Sequence, residues 1–107
     1  MRKAEIKYLD RTAGWLIQDE EGYRFSYYKA YLESADSRAV SLSLPLQSAE
    51  FISRTMIPFF DGLIPEGWLL DVAARERMLE PGDRMGLLMH CCRDCNGAVS
   101  VHPVIME

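Results

Sequence analysis

Most features that would point to familiar chemistry are missing from this 107-residue sequence. Neither G-x-G-x-x-G nor G-x-x-x-x-G-K-[ST] occurs, and no Asp-x-x-x-x-Asn stands in a kinase-like context, so nothing cradles a nucleotide. No apolar run approaches the roughly 20 residues of a membrane span. Basic residues are scattered, no denser than Arg2-Lys3 or Arg75-x-Arg77, and the net charge is −4. A phosphate backbone is held by concentrated positive charge, so no direct contact with nucleic acid is expected. The three cysteines are an odd number and two are adjacent, which suits a reducing compartment better than a disulfide framework. The start Met-Arg-Lys-Ala-Glu-Ile-Lys leads into a charged strand instead of an apolar core, predicting no signal peptide and a cytoplasmic location. The length suits one domain over 1–107, too small for a two-lobed enzyme.

What is present reads first as sheet. Ala4, Ile6 and Tyr8 alternate with Glu5 and Lys7, the period of a half-buried strand. Asp10–Gly14 suggests a turn, Trp15–Ile17 a second strand, and Asp19-Glu-Glu-Gly22 a hairpin. Tyr23, Phe25 and Tyr27 complete a meander. Residues 32–38 read as a loop, and Val40, Leu42 and Leu44 alternate with Ser41 and Ser43 as a fourth strand stopped by Pro45. Gln47–Ile57 leaves a short strand or an irregular segment open. Phe59-Phe60 predicts a helical turn closed by Gly62.

Helical periodicity then takes over. Leu69, Val72, Ala73 and Leu79 stripe a helix over Glu66–Glu80, which Pro81-Gly82 ends. Asp83 is a natural N-cap for a second helix carrying Met85, Leu87, Leu88 and Cys91. Asn96-Gly97 is a turn, and Ala98–Val101 a last strand before Pro103. The fold class expected is α+β: a small, mostly antiparallel sheet with two helices packed on one face.

Chemical constellations are few. His90-Cys91-Cys92-x-x-Cys95 with His102 could hold zinc, but structural zinc favours two paired-ligand turns, and here part of the set falls at a helix end. A redox C-x-x-C needs the start of a helix, whereas this one follows a helix. Buried cysteine acting as a small hydrophobe is the plainer reading. Asp19, Glu20 and Glu21 crowd a solvated hairpin tip. Asp94 beside Arg93 is a turn former, and Ser41 and Ser43 have no histidine placed to activate them. No enzyme, cofactor or metal is expected.

The run Pro58–Leu70 stands apart. It combines Phe59, Phe60, Leu63 and Ile64 with two prolines and two glycines, a sticky turn without chemistry. Trp68 in the first helical turn has two readings: it packs down on the sheet, or it projects as an anchor for a partner protein. Tryptophan suits the second role because it desolvates a large surface while fixing few rotors. Leu69, Val72 and Ala73 already cover the core side, and Leu70 faces yet another way.

Three stretches, Val40-Ser-Leu-Ser-Leu-Pro45, Pro58-Phe-Phe-Asp-Gly-Leu-Ile-Pro-Glu-Gly67 and Asp94-Cys-Asn-Gly-Ala-Val99, occur in this order. Together they resemble the N-terminal subdomain of HipA-type toxin kinases, over roughly residues 14–104. Ile64 stands where leucine is commoner, and Cys92 where the family tends to have glycine. Because the sequence stops at Glu107, it looks like the stand-alone version of that subdomain, the HipS-like antitoxin of three-component HipBST toxin–antitoxin systems. The resemblance implies a non-enzymatic antitoxin whose partner is a HipT-like serine/threonine kinase toxin. A HipB-like helix-turn-helix protein would supply DNA binding through the complex. Pro65, Glu66, Gly67, Trp68 and Leu70 are the residues expected to meet the kinase. The alternatives are an accessory subunit that completes or activates the kinase, and a small metal or thiol module on Cys91, Cys92 and Cys95.

Overall fold

The computed structural model describes residues 1–64, 75, 82–92 and 98–104. Strands β1 (Arg2–Tyr8), β2 (Arg11–Asp19) and β3 (Gly22–Tyr27) form the expected meander. Helix α1 (Lys29–Leu32) follows, then strand β4 (Phe51–Ser53), helix α2 (Pro58–Asp61), helix α3 (Arg84–Cys91) and strand β5 (Val99–Val104). The five strands make one antiparallel sheet in the order β4-β3-β2-β1-β5. The α+β architecture is as read from the sequence.

The first hairpin turn is tighter than the expected Asp10–Gly14. Leu9 and Asp10 alone make it, both left-handed at φ 50° and 65°. Two-residue hairpins favour that hand because it matches strand twist, although Asn-Gly is the usual occupant. With no glycine at 9 or 10, Gly14 drew the turn to itself. It is instead a strand residue near a register shift, where an added Cβ would collide with the Ser26 carbonyl of β3. The second hairpin is as expected. Asp19 accepts from the amides of Glu21 (2.9 Å) and Gly22 (3.2 Å), and Gly22 at φ +137° also lets β4 approach.

Val40–Leu44 is not a strand. Ser41 and Leu44 face each other across a tight turn, closed by Leu44 N–H to the Ser41 carbonyl at 3.0 Å. The Tyr27 phenol accepts from Val40 N–H at 3.0 Å and donates to the Leu44 carbonyl. Val40 and Leu44 are buried, so the apolar alternation was real, but a turn that points two residues inward produces it as well as a strand does. The fourth strand is Phe51–Ser53, inside the segment left open. β5 also runs through Pro103 instead of stopping before it. As an edge strand it has one side free, where a missing N–H costs little.

The core lies on one face of the sheet. Ala4, Ile6, Leu16, Phe25 and Val101 meet Phe60 of α2 and Met85, Leu87 and Leu88 of α3, all fully buried. Phe25 sits at the centre, with ring centroids 4.9 Å from Tyr27 and 5.3 Å from Phe60. Each such side chain stabilises the fold by about 1.5–3 kcal/mol through burial. On the opposite face, Lys3 places its ammonium 4.6 Å from the Trp15 ring and Thr12 donates to Glu5. The strand alternation therefore separates an apolar face from a mixed one.

Candidate functional site

The run from Pro58 begins with local geometry the sequence dictates. Ile57 is extended before Pro58, which occupies the first helical turn, where its missing N–H is no loss. Gly62 N–H closes on the Pro58 carbonyl at 3.0 Å, and Ile64 N–H on the Asp61 carbonyl at 3.2 Å. The four large hydrophobes do not form a sticky surface together, as was expected. Phe60 of α2 and Ile64, just past its end, enter the core, while Phe59 and Leu63 are half-buried against it.

This turn is then bound to elements far away in the chain. Arg84 Nε donates to Asp61 at 2.6 Å. Cys92 Sγ donates to the Leu63 carbonyl at 3.3 Å, and the Cys92 carbonyl accepts from Val101 N–H at 2.9 Å. Leu9 N–H donates to the Ala98 carbonyl at 2.8 Å. The turn after α2 is thus brought beside the end of α3: Leu63 touches Cys92, where α3 stops. Asp83 caps α3 by accepting from Gly86 N–H at 3.2 Å, as expected, and takes a two-armed grip from Arg2 at 2.6 and 3.0 Å. The Arg2 guanidinium holds the Asp83 carboxyl below its ordinary range, with desolvation opposing and the Gly86 amide assisting. Burial raises the Tyr27 phenol, and the Val40 amide partly offsets it.

Pro65, Glu66, Gly67, Trp68 and Leu70 lie outside the described residues, as do the predicted Glu66–Glu80 helix except Arg75, and the Asp94–Gly97 turn. What the structure fixes is their point of departure, the buried Ile64. Of the Cys/His set, Cys95 and the Cys91 side chain are also outside it. Cys92 is fully buried in the core at the α3 end. His90 is exposed, and His102 alternates with buried Val101, so it faces away from the core and pairs with Ser100 at 2.9 Å. Among the described residues no three His, Cys, Asp or Glu side chains gather as a metal would require. The acidic β2–β3 hairpin borders an open depression of about 470 Å³ with Met1 and Arg24, the solvated tip the sequence suggested.

Comparison with known proteins identifies the lineage. Residues 4–102 match the HipA N-terminal domain family. The chain belongs to that family. An uncharacterized protein of Haemophilus influenzae is 30% identical over 101 residues, 94% of this chain and 92% of that protein. Two putative kinases of Sinorhizobium fredii, Y4mE and Y4dM, are 33% and 34% identical over 98 and 85 residues. The chain spans only 23% and 21% of their lengths. A solved structure, the N-terminal domain of HipA toxin, superposes with a TM-score of 0.73 at 22% identity, covering 100% of this chain and 96% of that one. It shows the same fold. The HipA N-terminal domain is not itself the catalytic domain. No helix among the described residues is long and apolar enough to cross a membrane.

Proposed function

We propose that this chain is a HipS-like antitoxin that binds a HipA-like, HipT-type serine/threonine kinase toxin in trans and neutralises it, without catalysis of its own. The observation that carries this reading is the contrast in coverage among relatives. The domain makes up about a quarter of a putative kinase in one lineage and nearly the whole of a separate protein in another. A domain adapted to seat on a kinase in cis keeps a surface that seeks the same seat when it is separate. In this reading the Pro65-Glu66-Gly67-Trp68 turn, with Leu70, reaches the kinase active-site region from the anchored Ile64, and Trp68 plugs or distorts it. The complex acts in the cytoplasm, and a HipB-like helix-turn-helix protein bound to it contributes the DNA contact that this acidic sequence, with its scattered basic residues, is poorly suited to make.

Co-expression with the proposed HipT-like kinase toxin tests the proposal. Wild type restores growth and Trp68→Ala does not, because truncating a central tryptophan costs an interface on the order of 2–4 kcal/mol. Equal rescue by both removes Trp68 from the mechanism. The kinase-fused relatives favour a second reading, in which the domain completes the kinase and activates it. Autophosphorylation that rises on adding this chain decides for activation, and a fall decides for inhibition.

A further inference from the structure

Leu42 sits at the tip of the turn that replaced the expected fourth strand, and its side chain is fully exposed at 102%. Its backbone is nevertheless held from several sides. The Tyr27 phenol bonds both flanks of the turn, at Val40 N–H and the Leu44 carbonyl, and Val40 and Leu44 anchor its two ends in the core. Within the turn, the Ser41 hydroxyl accepts from Ser43 N–H at 3.2 Å and pairs with the Ser43 hydroxyl at 3.0 Å. A leucine that gains nothing from the fold is thus presented on a pre-ordered scaffold with a polar hydroxyl on either side. That is the anatomy of an interface anchor, an apolar knob within a polar rim whose ordering cost is already met by the fold.

We propose that Leu42 is a second docking knob for the kinase chain, inserting into an apolar pocket on it. The inference rests on the antitoxin reading above for its partner, but not on Trp68. Two observations point to the kinase as occupant. In the two putative kinases this domain is about a fifth to a quarter of one chain, so part of its surface is built to be covered by the remainder. Three of the six exposed large hydrophobes among the described residues, Leu42, Leu46 and Ile52, also fall within eleven residues of chain, a stretch that ends in the edge strand β4.

The test measures binding of the purified full chain to the purified HipT-like kinase proposed as its partner, by titration calorimetry, for wild type, Leu42→Ser, Leu42→Met, Leu9→Ser and Trp68→Ala. Leu42→Ser should raise Kd at least tenfold, and Leu42→Met should bind nearly as wild type. Leu9→Ser, which removes a similarly exposed leucine from another turn, should bind within twofold of wild type. The Tm of Leu42→Ser should match wild type, since its side chain touches nothing, so a loss of binding reports the interface and not unfolding. If Leu42→Ser binds as wild type while Trp68→Ala does not, the knob is overturned and the antitoxin reading stands. If Leu42→Ser weakens binding and Trp68→Ala does not, the knob stands and the tryptophan plug falls. No binding by wild type overturns both.

Discussion

Within the meander, β1 pairs with β2 and β2 with β3 across two-residue turns, whereas Asp61, Cys92 and Asp83 find side-chain or backbone partners 23, 29 and 81 residues away. The meander is a local structure that needs little beyond its own alternation to form. The α2–α3 region has no such independence. Its polar groups are satisfied between α2 and α3, by Arg84 and by Leu63, and by Arg2 of β1 at the other end of the chain. The candidate docking segment departs from this second region.

The largest effect on this contrast should come from Phe60→Ala. Phe60 is fully buried and is the ring through which α2 meets Phe25 of the meander. Truncating it removes burial and leaves a cavity, a cost of about 3–5 kcal/mol. That is a large share of the roughly 5–15 kcal/mol available to a small domain. Urea unfolding followed by far-UV circular dichroism should show the midpoint falling sharply. If hydrogen exchange then shows β1–β3 amides still protected while α2 and α3 amides exchange, the two regions are separable as argued. Uniform loss of protection would mean that they are one cooperative unit.

Asp83 tests the long-range grip directly. Replacing it with Ala removes a helix cap and the partner of Arg2, together about 1–2 kcal/mol for groups that keep partial solvent contact. The pH dependence has a definite sign. In the folded chain the Asp83 carboxyl ionises below its ordinary value of 3.8, because Arg2 favours the charged form. Its contribution to stability is therefore complete above that value and is lost as pH falls through the lower folded value. Asp83→Asn keeps a capping acceptor but lacks this contribution. The stability gap between wild type and Asp83→Asn should be constant near about pH 6 and narrow below about pH 3.8. A gap that does not change with pH would show that the Arg2 contact is geometric and not ionic.

The same division explains what the sequence made legible. Period-two alternation placed β1 and β3, and the Asp19–Gly22 turn chemistry placed the hairpin between them, because each signal is local. Pro58 and Asp83 marked the starts of α2 and α3 by local rules for free first-turn amides. The failures had distant causes. Val40–Leu44 alternates like a strand, yet the Tyr27 phenol, supplied from β3, bonds both ends of it and bends it into a turn. At Cys92 the sequence favours a buried small hydrophobe over a metal or thiol motif, and it is buried, but its bonds with Leu63 and Val101, which make it a junction of three elements, have no local signal. The motifs that revealed the family were readable without geometry. The exposure of Leu42 was not, since only the fold shows that its neighbours point inward and it does not.

Leu9 is the exception to the local half, and the smallest predicted effect lies there. A leucine held at φ 50° carries a steric cost of about 1–2 kcal/mol, because its Cβ crowds the following carbonyl. Its side chain is 66% exposed and recovers little of that by burial. Asparagine tolerates the left-handed region better by bonding its own backbone. Leu9→Asn should therefore stabilise the chain by about 1 kcal/mol, raising Tm by roughly 4–8 °C for a domain of this size. The Leu9 N–H to Ala98 carbonyl bond is a backbone contact and survives the change. If Tm falls instead, the Leu9 side chain contributes a contact that outweighs the strain. The hairpin tip would then belong with the long-range half of the molecule, tied through Ala98 to the start of β5, and the division between local and distant construction would move to Tyr8.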